Sequence, residues 1–349
     1  MLKKNNKLIK LGLVLSLILF VSTTSFAFEK AKFAVITNTH MALYGVDEMK
    51  MGASSCQIVE NTIKELNSIA DLDFVVVTGD LLLDGEPWNL DIMKAYLDEL
   101  RVPYYVLCGN HDYAPASQAK PDKPAYVAVS KGTVIWTFQG HGFKDANAWW
   151  GVDPLPGLHI VGLDSNVPIH WGGHMPLSEI KWLDRDLYGN QGSVSVAFCH
   201  HNFVAWSKDD EFGGKFDKFQ VDNGAQVREV FEKYVPSLQV VITGHRHIGL
   251  RHKEVNGVNY IVCPSAVSYP NQYTLFTLTP TSISYETKWA PIEKEIIEQA
   301  KANLLKADWW RPTGASDEEM LAFFEGSGPV LKKGTIKLKP TPIEYRSPE

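Results

Sequence analysis

Cysteine is scarce in this chain: Cys56, Cys108, Cys199 and Cys263 are all there is in 349 residues. Their spacing is that of neither a zinc ribbon nor a thioredoxin-type pair, which excludes both readings. Three of them lie in or at the ends of apolar strands, where an unpaired Cys behaves as a small buried hydrophobe, so buried thiols are expected. A Cys108 to Cys199 bridge stays open if their strands are neighbours. There is no internal repeat and no low-complexity tract, which excludes solenoids and arrays. A membrane-length apolar run is also missing, since the stretch from Leu11 to Val21 is too short for a comfortable span. No Cys follows that stretch and no twin-Arg pair precedes it, so neither lipid attachment nor folded export is indicated. Positive charge is in deficit, with a formal net charge of -6. That balance argues against a surface tracking nucleic acid or anionic lipid nonspecifically, and leaves room for a small phosphorylated substrate.

What is present begins with a leader-like N-terminus. Lys3, Lys4, Lys7 and Lys10 precede the apolar run, and a polar patch then leads to Ser25-Phe26-Ala27. This is the three-part layout of a secretory signal peptide with a small-x-small cleavage site, and an uncleaved anchor is its competitor. The mature chain is expected to begin at Phe28, outside the cytoplasm, with no membrane span once the leader is removed. Residues 1–27 hold four Lys and no acid, so their loss takes the net charge from -6 to -10. With 45% hydrophobic and 21% charged residues the remainder has a globular composition.

Strand-like and helix-like stretches alternate along that remainder. Phe33 to Ile36, Phe74 to Val77, Tyr104 to Leu107, Leu158 to Leu163, Val194 to Phe198 and Leu238 to Thr243 read as short buried strands. Helical spacing of apolar residues fills Ser54 to Ile69, Leu90 to Leu100, Ile180 to Leu187 and Val227 to Tyr234. Such alternation predicts parallel strands joined by crossover helices. Residues 113–158 show a looser pattern, and Val255-Asn256-Gly257-Val258 reads as a hairpin turn leading to antiparallel strands up to about residue 288. Beyond residue 290, Ile292 to Leu305 has helical spacing, Ser316 to Glu319 looks like a capping box, and Thr335 to Leu338 alternates like a strand. This tail is expected to pack passively on the core, with control of substrate access as the alternative.

Chemistry gathers at the strand ends. Asn38, His40, Asp80, Asn110, His111, Asp112, His200, His245 and His247 all sit just after a strand, where open α/β sheets place their ligands. Carboxylate, amide oxygen and imidazole are ligands of divalent transition metals, and nine such groups exceed what one mononuclear site uses. A two-metal centre follows, with Asp80 as the bridging carboxylate and a bridging hydroxide able to attack phosphorus in line.

The ordered set Asn38-x-His40, Gly79-Asp80, Gly109-Asn110-His111-Asp112, His200 and Gly244-His245-x-His247 resembles the calcineurin-like metallophosphoesterases, relatives of cyclic-nucleotide phosphodiesterases and purple acid phosphatases. The resemblance spans roughly residues 32–288. It implies an α/β fold, a four-layer αββα sandwich with mixed sheets, over residues 28–290, followed by a C-terminal extension over 291–349. It implies two divalent or trivalent transition-metal ions, drawn from Mn, Fe, Zn or Co. Asn38, His40, Asp80 and His247 would hold one, and Asp80, Asn110, His200 and His245 the other. His111 would contact the phosphate and help protonate the leaving oxygen, with Asp112 orienting it. The activity implied is hydrolysis of a small phosphomonoester or phosphodiester. Two positions depart from the pattern. Asn38 stands where the family has Asp, removing one negative charge and weakening that ion's binding. Leu83 stands where purple acid phosphatases have Tyr, so no tyrosinate colour is expected. Asn38 also motivates the alternative: an impaired relative that binds a phosphorylated ligand or partner without turning it over.

Other polar and aromatic residues receive plainer readings. His170, His174 and His201 are expected to be hydrogen-bonded rather than to touch substrate, with His200 preferred over His201 as the ligand. Asp164-Ser165 reads as a turn cap, Trp149-Trp150 as local packing, and Gly109 and Gly244 as turn formers.

Overall fold

The structure is a computed structural model that describes residues 28–325 and 332–341; the signal peptide expected over 1–27 lies outside the described residues. In chain order the elements are β1 (Ala31–Ile36), α1 (Ser55–Leu66), β2 (Phe74–Thr78), α2 (Pro87–Leu97), β3 (Tyr104–Leu107), α3 (Lys131–Thr137), β4 (Trp150–Leu155), β5 (Leu158–Leu163), α4 (Leu177–Gly189) and β6 (Val194–Cys199). There follow α5 (Gly224–Lys233), β7 (Leu238–Thr243), β8 (Arg251–Val255), β9 (Val258–Val262), β10 (Gln272–Thr279), β11 (Ser282–Trp289), α6 (Lys294–Lys306), α7 (Asp317–Glu325) and β12 (Lys333–Lys337).

Two six-stranded mixed sheets result, in the orders β12-β11-β10-β1-β2-β3 and β4-β5-β6-β7-β9-β8. β1, β2 and β3 run parallel, as do β5, β6, β7 and β9. The period of two along the strands explains how the sheets stack. In the second sheet Ile160, Val196, Phe198, Val240 and Ile242 join the large core between the sheets. The intervening Val161, Ala197, Cys199 and Val241 instead meet α4 and α5 through Ile180, Leu183, Leu187, Val227 and Phe231. α1 and α2 cover the first sheet with Ile58, Ile63, Leu66, Leu90, Met93 and Leu97. Phe33 ties the layers together. Its ring stacks on Phe74 and Phe276 at 5.0 and 5.1 Å and meets the edge of Phe198 across the gap at 6.0 Å. The four-layer αββα expectation is met.

The loose stretch 113–158 holds two elements that the sequence pattern does not show. α3 is a seven-residue helix capped by Ser130, whose Oγ accepts from Thr133 N at 3.0 Å; it is too short to display an apolar stripe. β4 is an edge strand carrying Gly151 and Pro154, with an irregular register between Val152 and Leu155. Its Trp150 is core: Nε1 donates to Val106 O at 2.9 Å. Cys108 and Cys199 end strands of different sheets, and all four cysteines are free thiols. Asn256 and Gly257, both at positive φ, make the β8–β9 hairpin turn. No helix among the described residues is long and apolar enough to cross a membrane.

The tail closes onto the same body. Ala300, Leu304, Met320 and Phe324 enter the large core, and β12 pairs with β11. The capping box forms as read, with Ser316 N donating to Glu319 Oε2 at 2.8 Å and Glu319 N to Ser316 Oγ at 3.2 Å.

A buried histidine on β5, held between two carboxylates, sets a pH dependence. His159 has Nδ1 2.6 Å from Asp153 Oδ1 and Nε2 2.7 Å from Asp186 Oδ2. Burial lowers its pKa, but the two carboxylates outweigh that and leave it raised. A raised folded pKa stabilises the protein below the unfolded value of about 6.5 and ceases to do so as pH rises through the folded value. The urea midpoint of the native protein should therefore exceed that of His159→Gln by more at about pH 6 than at about pH 9. A gap that widens toward alkaline pH would contradict this.

Candidate metal centre

The turns after β1, β2, β3, β6 and β7 bring seven of the sequence-derived ligands to one place. Asp80 lies at the middle: Oδ2 is 3.3 Å from His40 Nε2, and Oδ1 is 3.3 Å from His200 Nε2. On one flank His40 Nε2 sits 3.2 Å from His247 Nε2. On the other, His200 Nε2 sits 3.2 Å from Asn110 Oδ1 and 3.1 Å from His245 Nδ1. Asn38 Oδ1 accepts the His245 backbone N–H at 3.2 Å. All seven residues are buried.

The donor set fits cations. Burial holds the His40, His245 and His247 rings well below their usual pKa, so they are neutral and offer lone pairs. Burial pushes the Asp80 carboxyl up, and His200, His111 and His40 more than reverse it, keeping it ionised. His200 Nδ1 meets Thr78 O at 2.9 Å, and His247 Nδ1 meets Ser268 Oγ at 2.8 Å. Protons placed on those rear nitrogens leave both Nε2 lone pairs facing inward, as metal-binding imidazoles require. His40 Nε2 and His247 Nε2 lie 3.2 Å apart beside the Asp80 carboxylate, a close set of nitrogen and oxygen donors of the kind that holds a divalent cation.

The backbone is strained where these side chains start. Asn38, His40, Asp80, His245 and His247 all have positive φ, between 36° and 66°, a region non-glycine residues rarely enter. Such conformations persist only where the surroundings over-determine them, and they concentrate at functional sites. Gly109 is needed for contact rather than for a turn. Its φ is ordinary, but a Cβ there would overlap the Asp80 backbone and carboxylate. Gly244 is the same case, against Thr37.

His111 stands beside the centre, its ring 4.9 Å from that of His40. Asp112 does not orient it. The Asp112 carboxylate accepts from Gly109 N at 2.6 Å and Leu82 N at 2.9 Å, so it braces the turn, and burial with nearby Asp80 raises it to about 7. The His111 ring is held instead by Leu83 O, 2.7 Å from Nδ1, and Asp84 Oδ1 at 3.2 Å. Those partners lie three and four residues beyond Asp80, outside the Gly79-Asp80 motif.

Lys50 is the other residue the sequence does not announce. From the loop between β1 and α1 its Nζ reaches His111 Nε2 at 3.1 Å and His40 Nδ1 at 3.3 Å. Burial lowers the ammonium to about 8. His201 lies next to His200 and His245, but both its ring nitrogens are engaged, with Ser165 Oγ at 2.8 Å and Trp171 O at 3.1 Å. Burial and His200 lower it to about 3. His170 and His174 line a separate cavity of about 860 Å³ with Phe203 and Arg228. Aromatic rings frame the mouth: Trp171 is 5.6 Å from His111, Phe219 is 5.1 Å from His245, and Trp310 is 5.4 Å from His247. Trp310 belongs to the tail, so passive packing does not describe that segment fully.

The family model of the calcineurin-like phosphoesterases matches residues 31–249, the span containing every one of these ligands. The chain belongs to that family. It is accordingly a metal-dependent phosphoric ester hydrolase. A 3',5'-cyclic-nucleotide phosphodiesterase of Nostoc is 26% identical over 251 residues, covering 70% of this chain and 82% of the relative. The glycerophosphodiester phosphodiesterase GpdQ of Enterobacter lignolyticus is 23% identical over 220 residues, 61% of this chain and 70% of its own. A dimetal phosphatase from Danio rerio shares the fold with TM-score 0.57 at 16% identity, over 74% of this chain and 96% of that one.

If the seven groups form a cation site, Mn2+ at about 100 times its dissociation constant adds about 2.7 kcal/mol and raises the melting temperature by roughly 4 °C. The same addition to Asp80→Asn should shift it by a small fraction of that. Equal shifts in both proteins would place the ion elsewhere.

Proposed function

We propose that this phosphoesterase hydrolyses a small phosphate ester in an extracytoplasmic compartment, using two transition-metal ions of the Mn, Fe, Zn or Co type bridged by Asp80. The observation that carries the reading is the Asp80 carboxylate facing His40 through one oxygen and His200 through the other. Asn38, His40, Asp80 and His247 would hold one ion; Asp80, Asn110, His200 and His245 the other. Bound there, the ions would supply Lewis acidity at the phosphoryl oxygens and an acidified water for in-line displacement.

The chain's own residues do the rest. His111, with Nδ1 committed to Leu83 O and Nε2 meeting Lys50 Nζ at 3.1 Å, stands beside the centre, where Nε2 can exchange that partner for a phosphoryl or leaving-group oxygen. Asp112 keeps the Gly109–His111 turn in place, and Asp84 fixes the ring angle. Trp171 beside His111, and Phe219 and Trp310 paired at 6.1 Å beside His245 and His247, offer apolar faces to the organic part of the ester, as a diester with two substituents would use. The cyclic-nucleotide and glycerophosphodiester activities in the names of the relatives favour a diester as well. Export rests on the leader-like residues 1–27, and N-terminal sequencing of secreted protein should then begin at Phe28.

Asn38 favours a second reading, in which the site binds a phosphorylated ligand without turnover. Paired assays with bis-nitrophenyl phosphate and nitrophenyl phosphate separate the two. The hydrolase reading expects metal-dependent turnover, faster on the diester, and a loss of roughly 10²–10⁴ in kcat for His111→Ala with unchanged metal content. Absence of turnover of either ester with ions bound would select the binding reading.

A further inference from the structure

Two hydrogen-bond partners compete for one nitrogen of His40. Nδ1 lies 3.3 Å from Leu82 O and also 3.3 Å from Lys50 Nζ. Leu82 O can only accept, so it selects the tautomer with the proton on Nδ1 and a free lone pair on Nε2. An ammonium can only donate, so Lys50 selects the opposite tautomer, with the proton on Nε2. In that form Nε2 donates toward Asp80 Oδ2, 3.3 Å away, and has no lone pair for a metal ion. Lys50 thus opposes metal at His40 twice, through its charge and through the tautomer it stabilises.

Its position is built rather than incidental. The loop carrying Lys50 is pinned on several sides: Met51 N donates to Val267 O at 2.8 Å, and Asn303 Nδ2 of α6 donates to Asp47 O at 3.0 Å and Glu48 O at 3.1 Å. Gly52 N donates to Lys50 O at 2.8 Å. The polar partners of Nζ are two imidazole nitrogens, not a carboxylate. On the same flank Asn38 brings an uncharged amide whose Oδ1 is already engaged by His245 N. The opposite flank has no such cation: Asp80 Oδ1, Asn110, His200 and His245 meet without a lysine among their contacts.

We propose that Lys50 is a fixed cation competing with a metal ion for the Asn38–His40–His247 half of the centre, so that one ion binds tightly on the Asn110–His200–His245 half and the second only weakly. The proposal rests on the metal-centre reading above and refines it. The two halves are unequal by design of the loop, and the second ion enters when Lys50 gives up His40 for His111 alone.

Calorimetric titration of the metal-stripped chain with Mn2+, checked by elemental analysis, tests this on the native protein, Lys50→Met and Lys50→Arg. The native protein should show one tight ion per chain and a second weaker by at least roughly tenfold. Lys50→Met should tighten the second by at least roughly tenfold and leave the first unchanged, whereas Lys50→Arg, which keeps the charge, should resemble the native protein. Nitrogen-15 NMR of labelled histidine gives an independent readout: metal-free His40 should carry its proton on Nε2 in the native protein and on Nδ1 in Lys50→Met. Two ions of equal affinity in the native protein, or a second site unmoved by Lys50→Met, would overturn the proposal while leaving the metal centre intact. No ion bound by any of the proteins would overturn the metal centre itself, and the proposal with it. Should Lys50→Met fold poorly, Lys50→Gln takes its place with the same two outcomes.

Discussion

A carboxylate with almost no exposure to water sits among imidazole rings at the end of β2, and the rest of the architecture follows from keeping it there. Burying an unpaired charge is costly, and Asp80 is tolerable because His40 and His200 face its two oxygens and the His111 backbone N–H donates to Oδ1 at 3.0 Å. His40 is held neutral by burial, and His200 alone, whose pKa Asp80 raises against burial, favours the charged form, so the clustered lone pairs of His40, His245 and His247 remain without a cation. Divalent cations supply what is missing, which is why the family assignment and the electrostatics of the site agree.

The fold serves this by geometry more than by sequence proximity. Parallel strands point their carboxyl ends the same way, so turns separated by more than a hundred residues meet at one edge of two stacked sheets. The contact is close enough to exclude a Cβ at Gly109 and Gly244 and to hold five ligand-bearing residues at positive φ. Strain of that kind needs a stiff frame, and the Phe33–Phe74–Phe276 stack with Phe198 against it helps provide one between the sheets that carry the site. The rings around the mouth have different origins. Trp171 and Phe219 come from loops after β5 and β6, while Trp310 arrives from the tail.

Much of this was readable in the amino-acid sequence because it is local. Short apolar runs ending in Asp, Asn or His named β1 to β3, β6 and β7 together with the polar side chains that converge after them, and Ser316 with Glu319 gave the α7 cap. What escaped is non-local or too short to have a period. α3 has seven residues and β4 is an interrupted edge strand, so neither shows amphipathic spacing. Lys50 looks like any loop lysine until Val267 and Asn303, more than two hundred residues away, pin its loop beside His40. Asp112 was given a role toward His111 by adjacency, yet its carboxylate turns back to the Gly109 and Leu82 amides. The tail read as packing because its helices are amphipathic, and nothing in that pattern shows that the loop between them carries Trp310 to His247.

The central claim is that Asp80 is shared between cations gathered by residues from five turns. Crystals of the chain grown with Mn2+ and measured for anomalous scattering test it most directly. A peak within bonding distance of Asp80, flanked by Asn110, His200 and His245, is the result this account requires; a chain with ordered Mn2+ only at sites remote from Asp80 would contradict it.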